Sequence, residues 1–200
     1  MSLSCFISAS GINYYGSFTS NALLTEKDPR KRCDFLSEVC NAWENAADEF
    51  SVITERIVKL RISAVLSSKK GFLEALKKIT NNHPRFRNLA AANNGLTGYI
   101  IEDSLCPILS RCKTPMYGSY NTVSDEYTTQ KMFMKKLAKN MNRYFFSINI
   151  PAFAVRLFLE EMSEMISGRN RASNEKIKRS GFELKYPSLS SALALDSIFT

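Results

Sequence analysis

The stretch from Cys5 to Gly16 carries the residues of this chain that are best suited to chemistry. Its sequence, CFISASGINYYG, begins with a short apolar run and continues into small and hydroxyl-bearing residues before a glycine. The apolar run predicts a buried strand, and the small residues after it allow another molecule to approach the backbone closely. Open α/β sheets bind ligands at the carboxyl ends of their strands, so we expect a binding site here. Its candidate side chains are Ser8, Ala9, Ser10, Tyr14 and Tyr15.

Two further elements position this stretch. Asp34 caps a predicted helix whose inward face has three- and four-residue spacing, and β-branched residues from Ile57 to Val65 predict an inner strand. Arg61, in that strand, either meets a carboxamide or phosphate or pairs with an acidic neighbour. The predicted inward residues of the helix are Leu36, Val39, Cys40, Trp43, Ala47 and Phe50.

The remaining chain alternates strand and helix patterns. Ser17 to Arg32 is polar and reads as a loop. Strands are predicted at Tyr99–Ile101, Gly118–Val123, Phe145–Ile150 and Phe182–Tyr186. Helices are predicted at Phe72–Ile79, Asp103–Arg111, Thr128–Met141 (with Met132, Phe133, Leu137 and Met141 inward), Pro151–Ile166, Ser173–Ser180 and from Ser188 onward.

The cysteines and the single histidine exclude the commonest metal sites. Five cysteines form no Cys-x-x-Cys pair, and His83 lies in a polar loop, so the sequence predicts neither a zinc site nor a disulfide framework. Cys40 lies on the apolar face of its helix, which favours a buried small side chain over a reactive thiol.

Five segments resemble one known family. The segment SASGINYYG, the helix DFLSEVCNAWENAA and the strand VKLRISAVL are similar, in this order, to segments of the epimerase-like branch of the extended short-chain dehydrogenases/reductases. PAFAVRLFLEEM and SGFELKYPSL resemble elements of the characteristic C-terminal segment of that branch, at about 150–195. Residues from Thr80 to Ser147 match only loosely. The resemblance implies an α/β fold, NAD or NADP as cofactor, and a small or nucleotide-linked substrate.

The resemblance also implies roles for individual residues. Ser10 matches the catalytic serine, which in this fold works with a Tyr-x-x-x-Lys pair that is not found on the next helix. Phe35 or Leu36 stands where the tyrosine is expected, and Val39 or Cys40 where the lysine is expected. Tyr14 or Tyr15 is the substitute acid, or a ring packed over the pocket. Ser8, Ala9, Arg61 and Ile62 are the candidate cofactor-binding residues, and Arg156 and Arg171 the candidate substrate-binding residues or surface ion pairs.

Some features of the family are missing from this sequence. No Gly-x-x-Gly-x-x-Gly turn for a cofactor pyrophosphate precedes Cys5, so the chain reads as N-terminally truncated or divergent. In place of Trp-Ile-His-Ile-Asp-Asp-Leu the chain has YIIEDSL, which loses the histidine to Ile101. The one literal Tyr-x-x-x-Lys, Tyr127 to Lys131, precedes a late helix and is read as chance.

Composition and charge limit the class of protein. The 200 residues, 44% of them hydrophobic, suffice for a real core. No window has the apolar length of a membrane helix, and no secretory signal is recognisable, so we expect a cytoplasmic protein. The net charge of +8 is concentrated between Lys131 and Lys185, with 12 basic and five acidic residues. The aromatics of this region, Phe133, Phe153 and Phe158, fall at helical core spacing and not between the basic residues. This favours a solvated basic face over attraction of a phosphorylated ligand or nucleic acid. A homodimer is left open.

The predicted fold is α/β, with a partial Rossmann-like parallel sheet that corresponds to the C-terminal half of the family's sheet. Residues 1–125 are predicted to form this Rossmann-like part and residues 126–200 a small α/β cap. The first functional hypothesis is an NAD(P)-dependent epimerase- or dehydratase-like oxidoreductase, incomplete without the glycine-rich turn. The alternative is a non-catalytic remnant or regulatory binding module that retains the fold.

Overall fold

The computed structural model describes residues 3–66, 86–87, 95–96, 99–101, 116–142, 145–146, 169–183 and 188–196. The strands are β1 (Phe6–Gly11), β2 (Thr19–Leu24), β3 (Ile57–Ile62), β4 (Ala64–Leu66), β5 (Phe86–Arg87), β6 (Gly95–Leu96), β7 (Tyr99–Ile101), β8 (Gly118–Thr122), β9 (Thr128–Thr129), β10 (Phe145–Phe146) and β11 (Arg169–Ala172). The α-helices are α1 (Phe35–Asp48), α2 (Gln130–Asn140), α3 (Glu175–Arg179) and α4 (Leu189–Asp196).

A three-stranded parallel sheet in the order β1-β3-β8 positions the site. The fold is therefore α/β with a Rossmann-like parallel sheet. This sheet lies within the first 122 residues, at the N-terminus of the chain and not in its C-terminal half. The register aligns Ser10 with Arg61 and Arg61 with Asn121, so one row of polar side chains crosses all three strands near their carboxyl ends.

The two faces of this sheet differ in polarity because side chains alternate along a strand. On one face, Val58 and Leu60 join Tyr120 in a core that Ile177 and Phe182 cover. The opposite face carries Ser10 and Arg61, both buried, and it is covered by α1. A buried polar face requires partners for its polar groups, since an unpaired buried group is costly.

Helix α1 supplies those partners. As predicted, Asp34 caps the helix and its side chain accepts a hydrogen bond from the backbone of Ser37. The buried residues of α1 are Ser37, Cys40, Glu44 and Ala47, whereas Trp43 is 55% exposed and Phe50 is also exposed. The prediction that Trp43 and Phe50 face the core is therefore wrong.

The prediction of an irregular Ser17–Arg32 loop is wrong for Thr19–Leu24. This segment is β2, and it pairs in parallel with β11, about 150 residues further along the chain. The shorter pairs are β4 with β7, β5 with β10, and β6 with β9, of which the last is antiparallel.

Most predicted elements within the described residues are confirmed. These are the strands β1, β3, β7 and β8, the helices α1 and α2, the short helix that ends before Gly181, and α4 directly after Ser188. In α2, Phe133 and Leu137 are buried as predicted, but Met132 is 55% exposed and Met134 and Ala138 take the core positions instead. At Phe182 and Glu183 the chain is not a strand.

Other predictions lie outside the described residues. These are the helices at Phe72–Ile79, Asp103–Arg111 and Pro151–Ile166, and most of the strands at Phe145–Ile150 and Phe182–Tyr186. Within the described part, no helix has the length and apolar character needed to cross a membrane.

Candidate functional site

Five side chains meet between α1 and the polar face of the sheet, and we call them the buried polar cluster: Ser10, Tyr15, Glu44, Arg61 and Asn121. Each is at most 6% exposed. The cluster lies at the carboxyl ends of parallel strands, where open α/β sheets bind ligands.

Glu44 and Arg61 form the ion pair at the centre of the cluster. The Arg61 Nε donates to Glu44 Oε1 at 2.7 Å and its Nη2 donates to Glu44 Oε2 at 2.9 Å, which is the bidentate geometry of a strong pair. Burial alone would lower the pKa of Arg61, but the hydrogen bonds and charge of Glu44, together with Tyr15, raise it above its usual value. Arg61 is therefore a cation whose charge Glu44 already balances.

Ser10 is bound to the same carboxylate. Its hydroxyl donates to Glu44 Oε1 at 3.1 Å, and on β8 the Ser119 hydroxyl donates to Glu44 Oε2 at 3.4 Å. The hydroxyl that the family resemblance marks as catalytic thus has a structural acceptor on α1.

Tyr15 is fully buried at the end of a 3₁₀ turn, Ile12–Tyr15. Its oxygen lies 2.8 Å from the carbonyl of Thr25, 2.9 Å from Asn121 Oδ1 and 3.0 Å from the donating Nη1 of Arg61. The single phenolic proton can serve only one of the two acceptors. Burial raises the pKa of Tyr15 and outweighs the opposing effects of Arg61 and Asn121, so this phenol is held neutral.

Tyr14 is the more accessible of the two adjacent phenols. Its ring lies under the Arg61 guanidinium, with the guanidinium carbon 3.4 Å from the ring centroid, and it meets the Tyr15 ring edge-on at 5.4 Å. The backbone carbonyl of Tyr14 accepts a hydrogen bond from Ser37 on α1. The ring is thus held in place by a cation–π contact.

The other predicted site residues are dispersed. Ser8 and the exposed Ala9 lie on β1, Ile62 ends β3, and Arg171 is exposed with its guanidinium carbon 5.4 Å from the Tyr127 ring centroid. Arg156 lies outside the described residues. The Tyr127 hydroxyl donates to the carbonyl of Ala172.

Three polar atoms near the carboxyl ends of β3 and β8 are buried and have no hydrogen-bond partner among the described residues. They are Ser63 Oγ, Asn121 Nδ2 and Thr122 Oγ1. Buried polar groups in proteins are nearly always paired with protein, water or ligand. This edge therefore has hydrogen-bonding groups that no described residue uses.

Metal chemistry has no obvious site in the described part of the chain. Within it, no three His, Cys, Asp or Glu residues are grouped so that they could hold a metal ion. Burial raises the pKa of the Cys40 thiol, and its sulfur would lie 3.1 Å from a Cβ added at Gly11. Cys40 is thus a packing residue that fits against a glycine of β1.

Sequence reasoning missed Glu44 and Asn121 as parts of the cluster. The signal for Glu44 is Arg61 itself, because an arginine in an inner strand requires a carboxylate from the helix that covers it. No sequence signal marks Asn121, whose place depends on the register of β8 with β3.

A pH prediction follows from the raised pKa of Tyr15. Because the folded state favours the protonated phenol, its contribution to stability is complete below the unfolded pKa of about 10 and is lost as pH rises above it. Denaturant unfolding at alkaline pH should show the loss, and Tyr15→Phe should reduce it relative to the wild type. Burial also raises the pKa values of Cys40 and Tyr127, and both groups lower stability at alkaline pH in the same way. The test is therefore the difference in pH dependence between the wild type and Tyr15→Phe. Parallel pH dependences would contradict the assignment.

Three comparisons with known proteins show what this chain is similar to. Residues 150–195 match a family model described as a domain of unknown function (DUF1731). An epimerase family protein of Staphylococcus saprophyticus is 29% identical over 80% of this chain and 53% of its own length. An epimerase family protein of Mycobacterium leprae is 26% identical over 94% of this chain and 61% of its own length. The chain thus spans about half to three fifths of these relatives.

Solved structures share the fold at low sequence identity. The human epimerase family protein SDR39U1, solved with NADPH, superposes with a TM-score of 0.83 at 20% identity, over 98% of this chain and 66% of that one. The UDP-glucose 4-epimerase of Thermotoga maritima gives a TM-score of 0.75 at 14% identity, over 98% of this chain and 63% of its own. The chain is thus similar in sequence to epimerase family proteins and shares its Rossmann-like α/β fold with the solved epimerase structures.

Proposed function

We propose that this chain forms part of the pocket of an NAD(P)-dependent epimerase- or dehydratase-like oxidoreductase, acting on a small or nucleotide-linked substrate. The observation that carries the proposal is the trio of unpartnered buried atoms, Ser63 Oγ, Asn121 Nδ2 and Thr122 Oγ1, at the carboxyl edge of a parallel sheet. The epimerase family relatives support the reaction class, and the NADPH in the human structure supports the choice of cofactor.

The fit to a dinucleotide is partial. The exposed Ala9 on β1 leaves room for a flat ring beside the strand, and the unpartnered edge suits a polar amide group. The described residues include no glycine-rich turn for a pyrophosphate, so we propose that a segment other than these holds the phosphates. A nicotinamide cofactor, when bound, supplies hydride transfer.

In this proposal, residues of this chain bind and orient the substrate and the cofactor. Ser10 directs its hydroxyl oxygen toward the substrate while its proton is held by Glu44, and Tyr14 is the phenol for acid or base work. Tyr15, buried and neutral, positions Arg61 and Tyr14. Ser8, Ala9 and Ile62 line the cofactor side, and Arg156 and Arg171 remain the proposed substrate contacts.

A second candidate, a non-catalytic binding module, is favoured by a different observation. The hydroxyls of Ser10 and Tyr15 and the charge of Arg61 are all used in bonds within the buried polar cluster. A catalytic centre normally leaves such groups available to substrate.

Cofactor titration separates the two candidates. Saturable binding of NADPH or NADH, seen as energy transfer from Trp43 to the reduced nicotinamide, is expected for the oxidoreductase. Ala9→Leu should weaken this binding because it fills the space beside β1, whereas Ala46→Leu, on the exposed surface of α1, should not. Absence of binding at millimolar cofactor, or equal effects of the two substitutions, would favour the non-catalytic module.

A further inference from the structure

A cavity of about 470 Å³ lies along the outer edge of β8, on the side away from β3. Its walls come from the segment after β2, from β8 and from the α3 region. β1, which carries Ser10, lies two strands away, at about 10 Å. Its volume is within the range of about 300–1,000 Å³ that is typical of small-molecule sites. The lining residues that the argument uses are Glu26, Lys27, Ser119, Ser173, Lys176 and Arg179.

Lys176 brings a partly buried cation to this cavity. Its Nζ donates to the carbonyl of Ser119 at 2.6 Å and lies 4.1 Å from the ring centroid of Tyr120. Within the described ranges, no carboxylate lies within salt-bridge distance of it. Burial lowers the pKa of Lys176, the charge of Glu26 opposes this shift and the charge of Arg61 adds to it. Glu26 is thus a nearby opposite charge, but it is not a direct ion-pair partner. An anion in the cavity would supply that partner.

Glu26 brings an acceptor to the same cavity. Its Oε1 accepts the backbone N–H of Asn121 at 2.8 Å, so this carboxylate occupies the place of a neighbouring strand. Its Oε2 receives no hydrogen bond from the residues that the structure describes. A ligand hydroxyl next to Oε2 could donate a hydrogen bond to it. The hydroxyls of Ser119 and Ser173 add further donors and acceptors to the cavity.

The charges define what kind of anion fits. Arg179 is paired with Glu175, but in the described part of the chain neither Lys176 nor the exposed Lys27 has a carboxylate partner. The lining has three basic side chains (Lys27, Lys176, Arg179) and two acidic ones (Glu26, Glu175), an excess of one positive charge. The two lysines, which have no direct ion-pair partner among the described residues, can together contact the oxygens of a phosphate monoester, which carries about −1.5 to −2 charges at neutral pH. Glu26 would repel a phosphate but accept hydrogen bonds from hydroxyls, so phosphate and hydroxyls must occupy different parts of the cavity.

We propose that this cavity binds a phosphorylated polyol of about the size of a hexose phosphate, with its phosphate at Lys176 and Lys27 and a hydroxyl at Glu26. The site goes beyond the proposed function because it needs no dinucleotide, although it adjoins the buried polar cluster through the backbone of Asn121.

Calorimetric titration of the full chain with glucose 6-phosphate, inorganic phosphate and glucose, without cofactor, tests the proposal. Glucose 6-phosphate should bind saturably and more tightly than inorganic phosphate, and glucose should not bind measurably. Lys176→Gln, which keeps a donor for the Ser119 carbonyl, should weaken glucose 6-phosphate binding by about tenfold. Glu26→Gln should lower the preference for glucose 6-phosphate over inorganic phosphate, since it removes both the repulsion and the charged acceptor.

Lys178→Gln is the matched control. It removes the same charge from the same helix, but Lys178 is paired with Asp125 and does not line the cavity, so its effect should be less than about twofold. If Lys176→Gln does not fold, Lys27→Gln takes its place, and it should weaken binding several-fold. No saturable binding at millimolar glucose 6-phosphate, or equal effects of Lys178→Gln and the cavity substitutions, would overturn the proposal. Because no cofactor is present, such a failure leaves the oxidoreductase proposal untouched.

Discussion

Replacing Glu44 by alanine is expected to lower the free energy of unfolding by about 3–5 kcal/mol. The side chains of Glu44 and Arg61 are 5% and 4% exposed, so the substitution leaves a guanidinium buried without a counter-charge. It also removes the acceptor for the Ser10 hydroxyl. Denaturant unfolding monitored by circular dichroism measures the change.

A surface ion pair provides the control for this prediction. Glu38, on the same helix, pairs with Arg30 and its side chain is 55% exposed, so Glu38→Ala should cost less than about 1 kcal/mol. The double substitution Glu44→Leu/Arg61→Met removes both charges and should cost less than Glu44→Ala alone. Equal losses for Glu44→Ala and Glu38→Ala would show that the buried pair is not coupled to folding.

Replacing Gly16 by alanine is expected to cost about 3 kcal/mol or more, because two separate penalties add. The backbone at Gly16 has φ 85° and ψ 165°, which side-chain-bearing residues rarely adopt. An added Cβ would also lie 2.2 Å from the carbonyl oxygen of Arg32. The chain at Arg32 cannot easily move away, because Lys31 and Arg32 both donate backbone hydrogen bonds to the carbonyl of Tyr15.

Gly181 separates the two penalties. Its φ is 81°, close to that of Gly16, but an added Cβ would meet nothing within 4 Å. Gly181→Ala should therefore cost only the conformational penalty of about 1–2 kcal/mol. The difference between the two unfolding free energies measures the contact with Arg32. If both substitutions cost the same, then the loop yields and the close approach at Gly16 is not a constraint.

Local patterns in the sequence were enough to predict those helices and strands that depend on neighbouring residues alone. The apolar run before Ser8, the Asp34 cap and the β-branched residues around Leu60 predicted β1, α1 and β3 because each depends on residues close in sequence. β2 and β11 were missed for the opposite reason. Neither TSNALL nor RNRA shows a sustained apolar run or alternation, and the two segments pair with each other across about 150 residues of sequence.

The sequence predicted where three candidate residues lie in the fold, but it did not predict their hydrogen bonds. Ser10, Tyr14 and Tyr15 lie where the strand-to-turn pattern placed them, at the carboxyl end of β1. The hydrophobic pattern of α1 predicted that Trp43 is buried and gave no reason to expect Glu44 in the core. That pattern does not take account of the charge of Arg61, which lies on the sheet facing α1. The bonds of a buried polar group depend on partners distant in sequence, and only the register of the strands supplies them.

The carboxylate of Glu44 reaches all three strands of the parallel sheet, through Ser10 on β1, Arg61 on β3 and Ser119 on β8. A local unfolding event that separates α1 from the sheet must therefore break hydrogen bonds to all three strands at once. Helix and sheet should then share one opening equilibrium in native-state hydrogen exchange, with no stage at which a single strand is released first. We therefore expect α1 and the three strands to open as one cooperative unit, whose extent follows from the contacts of a single carboxylate.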